Sequence, residues 1–336
     1  MTAVFIDGFD AYNGATAPAG LAAKYTVTAT PTLVAGRFGG QAVRFAVSST
    51  NLIKSPTFPG GAVSSLTLGM GVQIESLDAD PLICLNSAAT RQVAFRFHTD
   101  GSLGAYRSTT LLGSSAAAAL SLNTWYTLEI EIVISDTVGR ITVYLDGVSI
   151  LNLTSQDTRN GAPTTVDNIW LGAIDGLGVG AAQFDDLYVT DSATKPTAAL
   201  RVETLRPDSD GATLNLTPSA GSDHFAVVDE TTVDSSDYLQ GSTVGDLDEL
   251  GLGNLSNTPT AIEAVQIVGH LQKTDATARS MALEVKSGAT TSTGGNYTLT
   301  TTGGRHERIL ATDPDTAAAW GASGVNALKV RPKVTV

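Results

Sequence analysis

Trp125-Tyr126-Thr127-Leu128-Glu129-Ile130-Glu131-Ile132-Val133-Ile134 is followed, after the polar gap 135–139, by Arg140-Ile141-Thr142-Val143-Tyr144-Leu145-Asp146-Gly147-Val148-Ser149-Ile150. In the first run Tyr126, Leu128, Ile130, Ile132 and Ile134 fall on one side of an extended chain, and Thr127, Glu129 and Glu131 on the other. One side meets a core and the other meets water. In the second run Asp146-Gly147 supplies the positive φ angles of a two-residue I′ turn, which pairs Leu145 with Val148 and Val143 with Ile150. A half-buried strand feeding a tight hairpin decides for antiparallel β-structure.

The pattern repeats outward in both directions. Short β-type runs such as Gln92–Phe97 and Phe184–Val189 are separated by turn signals at Asp7-Gly8, Asp100-Gly101, Asp175-Gly176 and Asp210-Gly211. Many short antiparallel strands imply a sandwich. The polar, proline-containing stretch Asp191–Thr197 follows the last strand of the first half, so the chain is cut near Pro196 into domains 1–195 and 196–336. The second half is expected to open with a strand over Ala199–Leu205 and to resume strands around Ala264–Gly269, Ser280–Val285 and Tyr297–Thr300. Its helix is limited to one or two turns near Thr316–Trp320, entered through Asp313-Pro314.

Composition excludes several classes. With 336 residues, 42% hydrophobic and 16% charged, the chain can bury two cores, and its net charge of −13 comes without any run of Lys or Arg. Nucleic acid and anionic membranes are therefore poor partners. No window has the length of a membrane span, and the N-terminus has no basic, apolar leader, so neither membrane insertion nor export is expected. The one cysteine, Cys84, sits in an apolar run and reads as a buried small hydrophobe.

The segments Phe5–Asp10, Gly36–Phe45, Trp125-Tyr126, Leu145-Asp146-Gly147 and Phe184–Val189 together resemble concanavalin A-like (laminin-G-like) jelly rolls over residues 1–195. That resemblance implies two antiparallel sheets with the first and last strands side by side. Residues 196–336 resemble a module found after such jelly rolls in virion structural proteins of tailed bacteriophages, through Arg206–Gly211, Thr217–Gly221, Val228–Glu230, Asp313–Thr316 with Trp320, and Asn326–Leu328. Leu216 stands where such modules often carry tryptophan. The expected fold is all-β, a jelly-roll sandwich followed by a second, smaller β-sandwich. The resemblance implies a virion component assembled in the host cytoplasm. Its partners would be other virion proteins, further copies of itself with a trimer common among such appendages, and a host-surface glycan. A tail appendage is favoured over a capsid decoration or head spike, and a free carbohydrate-binding, lectin-like protein is the alternative from another class.

Candidate sites are few. Jelly-roll glycoside hydrolases carry acids at alternating positions on one strand; Glu129 and Glu131 are flanked on that face by Thr127 and Val133, with no third acid, so they read as a solvated strand face and the chain as no enzyme. Asp185, Asp186 and Asp191, with Asp7 and Asp10 adjacent if the terminal strands pair, form an oxygen-rich candidate for Ca²⁺. By simple alternation Asp185 shares a face with Leu187 and Val189, points inward, and needs either a metal or backbone N–H partners. Tyr144, Trp125 and Tyr106, with Trp170, are the aromatic candidates for stacking on a sugar. The acidic stretch Asp229–Glu249, which includes Asp234, reads as a solvated loop or an arm docking on a basic surface of a neighbouring subunit. The four histidines have no zinc spacing, and no nucleophile elbow or phosphate-binding loop is present.

Overall fold

Leu128, Ile130 and Ile132 are fully buried, as their parity requires. The structure, a computed structural model, describes residues 1–12, 20–48, 50–77, 81–174, 180–231, 233 and 235–336. Asp175-Gly176 and Asp234 lie outside the described residues. In chain order the first unit contains β1 (Ala3–Asp7), β2 (Thr26–Thr28), β3 (Thr32–Ala35), β4 (Gln41–Phe45) and β5 (Leu52–Lys54). There follow β6 (Ser65–Ile74), β7 (Pro81–Ser87), β8 (Thr90–Phe97), β9 (Leu103–Arg107) and β10 (Thr110–Ser114). The last are β11 (Trp125–Val133), β12 (Gly139–Leu145), β13 (Val148–Gln156), β14 (Asn168–Gly172) and β15 (Ala182–Thr190).

These strands form an eight-stranded sheet in the order β13-β12-β11-β6-β15-β4-β3, with β1 also paired to β15, and a seven-stranded sheet in the order β10-β9-β8-β7-β14-β5-β2. All pairings are antiparallel, and inward residues of both sheets meet in one core that includes Phe5, Phe45, Phe95, Phe97 and Phe184. Each fully buried Phe contributes roughly 1.5–3 kcal/mol. First and last strands lie side by side, and beyond them Thr2 N donates to Asp191 Oδ1 (2.6 Å) while Asp191 N donates to Thr2 O (3.0 Å).

The β12–β13 hairpin has the expected I′ turn, with φ of +47° at Asp146 and +80° at Gly147. Leu145 pairs with Val148, but Val143 faces Leu151, because a bulge absorbs Ile150. A second bulge has larger consequences. On β15, Asp185 faces Gly71 and Tyr188 faces Gly69, so Asp186, at φ +52°, is an extra residue. Parity reverses there: Phe184, Leu187 and Val189 are in the core, and Asp185 stands on the opposite face, not inward with Leu187 and Val189.

The first unit runs to Val202 and the second begins at Glu203, later than the cut at Pro196. Val202 N donates to Asp186 Oδ1 (2.7 Å), and the Val202 side chain packs over Gly8, where a Cβ would come within 2.9 Å of it. The proline-containing stretch thus belongs to the first unit. No strand forms over 199–205.

The second unit contains β16 (Pro207–Leu214), β17 (Thr217–Pro218), β18 (Leu239–Gln240), β19 (Asp248–Leu252) and β20 (Val265–Leu271). It closes with β21 (Ser280–Ser287), β22 (Thr290–Ser292), β23 (Asn296–Thr298), β24 (Gly304–Leu310) and β25 (Lys329–Val334). A six-stranded sheet, β16-β19-β25-β21-β22 with β23 on β21, packs with the β20–β24 ribbon around Ile267, Leu283, Val285, Trp320 and Leu328. Asp210-Gly211 lies within β16 rather than in a turn: Asp210 accepts from the N–H groups of His224 and Phe225, and Gly211 lets Glu249 O approach. Asp248 and Glu249 are buried in β19, so the acidic stretch is not solvated to its end. No helix forms over 316–320, because the Asp313 carboxylate takes Asp315 N and Thr316 Oγ1 and Ala317 sits at φ +55°; a short helix follows at Ala322–Asn326. No helix among the described residues is long and apolar enough to cross a membrane.

Candidate functional site

The outward face of the eight-stranded sheet carries the densest set of polar side chains that sequence parity had singled out. Cross-strand register places Tyr144, Glu129, Gly69 and Tyr188 in one row over β12, β11, β6 and β15, and Thr142, Glu131, Thr67 and Thr190 in the next. Tyr188 reaches this face because of the Asp186 bulge. Its ring lies flat across Gly69, where a Cβ would fall 2.0 Å from the ring, and its hydroxyl donates to Glu129 Oε1 at 2.9 Å. Only glycine permits that approach.

Neither glutamate is solvated. Glu129 has 0% exposure and Glu131 8%, which overturns the expectation of a wet strand face. The cover is the segment Asp191–Val202, laid over the sheet as a strap. Thr67 Oγ1 donates to Ser192 O (2.7 Å), Ala193 N to Ser65 Oγ (3.2 Å) and Arg140 Nη2 to Ala193 O (2.5 Å). Lys195 then inserts its charge: Nζ lies 2.9 Å from Glu129 Oε2 and 5.4 Å from the Tyr144 ring centroid, and its backbone N donates to Glu131 Oε1 (2.9 Å). The Lys195–Glu129 contact is ionic rather than directed, since no hydrogen bond of good angle reaches Oε2. Tyr144 OH donates to Glu131 Oε2 (3.4 Å), and burial, followed by the Glu131 charge, raises the phenol above its ordinary value.

Asp185 and Asp186 stand together at the bulge. Asp185 accepts from Arg37 N (2.8 Å) and Asp186 N (2.7 Å), so backbone N–H groups fill the partner role. Burial, then the neighbouring Asp186 charge, pushes Asp185 up to about 7; burial pushes Asp186 up to about 6 against the Val202 N–H and the charges of Arg37 and Arg201. Asp186 Oδ2 is buried with no hydrogen-bond partner. Asp7 does not join them. It shares parity with Phe5, and its carboxylate takes Phe9 N (2.8 Å), Tyr12 OH (2.5 Å), Tyr25 OH (2.7 Å) and the Lys24 ammonium (3.1 Å). Among the described residues no three His, Cys, Asp or Glu side chains converge as a cation site.

The aromatic candidates are divided as well. Trp125 shares the face of Glu129, four residues or about 13 Å along β11, opposite Gln73. Tyr106 lies on the seven-stranded sheet, with Arg96 stacked on it (4.5 Å) and His98 Nε2 at 2.8 Å from its hydroxyl; Trp170 there is capped by Lys54 (3.9 Å). They form no single platform. Sequence reasoning missed Lys195, Tyr188 and Gly69. Outward glycines at Gly69 and Gly71 in one strand were the available signal, since strand glycines mark close approach.

No protein-family model matches the chain, and no curated protein matches it. Solved structures similar to it include Trypanosoma rangeli sialidase with the inhibitor DANA (12% identity, TM-score 0.36, 48% of this chain and 27% of that one). Others are the cellulose-induced protein Cip1 (13%, TM-score 0.35, 56% and 90%) and the endo-β-1,4-glucuronan lyase of the fungus Trichoderma reesei (14%, TM-score 0.39, 59% and 100%). The chain spans about a quarter of the length of the sialidase structure.

Proposed function

We propose that the chain is a non-catalytic structural component of a tailed-bacteriophage particle, a tail appendage in preference to a capsid decoration or head spike. The observation that carries the non-catalytic part is the strap. An acid pair acting on a saccharide must meet it with one group free to give a proton and the other free to stabilise charge, whereas Glu129 and Glu131 are buried and engaged by Lys195, Tyr188 and Tyr144. The particle assignment is supported by the order of the two resemblances along the sequence. Partners on this reading are other virion proteins and further copies of the chain, with a host-surface glycan as the contact a tail position supplies.

The test is immunogold labelling of phage particles from the bacterium that carries the coding sequence, with antibody against residues 203–336. Gold at the tail supports an appendage, and gold on the capsid a decoration. Unlabelled particles with the protein free in the medium would replace this reading with the secreted lectin.

A further inference from the structure

On β25 the side chains of Lys329, Arg331 and Lys333 alternate with Val330, Pro332 and Val334, so the three cations leave one face of the sheet. β21 adds a fourth: Lys286 stands opposite Lys329, Glu284 opposite Arg331 and Ala282 opposite Lys333. Two buried carboxylates serve three of these four cations. Glu249 meets Lys286 (3.2 Å) and Arg331 (3.9 Å), and Glu284 meets Lys333 (3.2 Å) and Arg331 (3.8 Å). Lys329 has no carboxylate within ion-pair distance among the described residues, and its Nζ lies over Gly251, 2.8 Å from where a Cβ would be. Like charges directly opposite on neighbouring strands destabilise a sheet. Such a breach of a local rule marks a place where something other than the fold is served.

Elsewhere the same unit is acidic: over residues 203–336 acidic side chains outnumber basic ones almost two to one. Between β17 and β19, Asp229 is exposed and Asp237 half-buried, and the same stretch of sequence carries apolar groups that a lone subunit leaves in water. Val233 is 53% exposed, Tyr238 44% and Val244 66%. Charge and exposed apolar area thus fall on one stretch of sequence, whose complement in charge is the cationic face of β21 and β25.

We propose that copies of this chain associate head to tail, Asp229, Val233, Asp237, Tyr238 and Val244 of one copy docking on the Lys286, Lys329, Arg331 and Lys333 face of the next. The proposal rests on the assembly reading above and names its surfaces. Head to tail, each contact engages one patch of each copy without the reciprocal pair, so it is heterologous, and it closes a ring when the rotation per copy divides a full turn.

Sedimentation velocity of the full chain, at low and high salt and over a range of concentrations, reads the association. Lys286→Glu with Lys329→Glu is expected to weaken it roughly tenfold or more, Asp229→Lys with Asp237→Lys to do the same, and the chain carrying all four reversals to associate again. Lys329→Glu alone is the second variant, since that ammonium holds no carboxylate in the fold; it should weaken association with an unchanged thermal melt. Association indifferent to every reversal overturns the assigned surfaces while leaving assembly intact. A chain that stays monomeric at low salt, yet labels the particle, overturns self-association without touching the particle assignment. Failure of the fourfold reversal to recover association also overturns the proposal.

Discussion

Lys195→Met tests whether the strap is part of the first fold or an ornament on it. The substitution keeps the aliphatic stem and removes an ammonium 2.9 Å from Glu129 Oε2. At an effective dielectric of about 20, a pair at that separation attracts by roughly 6 kcal/mol before desolvation is set against it. Breaking a buried pair leaves the other charge in place and typically costs about 3–5 kcal/mol. Glu129 has no exposed area and keeps the Tyr188 hydroxyl as a donor, so a loss of about 4 kcal/mol is expected. Urea unfolding of the full chain, followed by tryptophan fluorescence, is the assay, because Trp125 opens the strand that carries Glu129. Adding Glu129→Gln should return at least half of the loss, since a neutral amide tolerates burial without a counter-charge. A single-variant loss under about 1 kcal/mol, the range of exposed ion pairs, or a double variant no better than the single, would refute the reasoning.

Gly69→Ala forces the Tyr188 ring off its seat and should cost about 3 kcal/mol, combining overpacking with a lost hydrogen bond to a charged group. Gly71→Ala, whose Cβ would have its nearest neighbours at 3.5 Å, should stay within about 1 kcal/mol of wild type, and equal melting shifts for the two would contradict the assigned packing. Asp185 and Asp186 bind protons more tightly folded, at about 7 and about 6, than unfolded at 3.8. Their contribution is therefore full below about pH 4, declines as pH rises from there to about 7, and is flat above. Asp185→Asn should shrink that decline in chemical denaturation run at stepped pH, because it removes the group whose proton affinity rises most on folding; an unchanged slope between pH 5 and 7 counts against the buried pair.

Much of the architecture is legible in alternation. The inward set on β11, the Asp146-Gly147 turn and the burial of Cys84 follow from period and turn chemistry. Parity fails where a residue is added, as at Asp186 and Ile150, because a bulge leaves no mark in composition yet exchanges the two faces beyond it. Alternation also tells which face Glu129 occupies without telling what lies over that face. The cover comes from a polar segment with a proline, whose composition marks the end of the strands but not the docking that follows. On β25 the cations escaped notice as a cluster because each is separated from the next by an apolar residue or proline.

The Thr2–Asp191 bonds and the strap beyond them decide how the first unit carries a mechanical load. β1 and β15 are antiparallel neighbours whose free ends meet, so tension applied at Thr2 and Asp191 alone would peel the pair apart one rung at a time. Tension from Glu203 instead arrives through a segment fastened to the bulge of β15 by Asp186 and across β6, β11 and β12 by Ser65, Thr67, Glu129, Glu131 and Arg140. Those fastenings share the pull before the peel can begin. The strap is a strain relief, of the kind that keeps a cable from being drawn out of its socket.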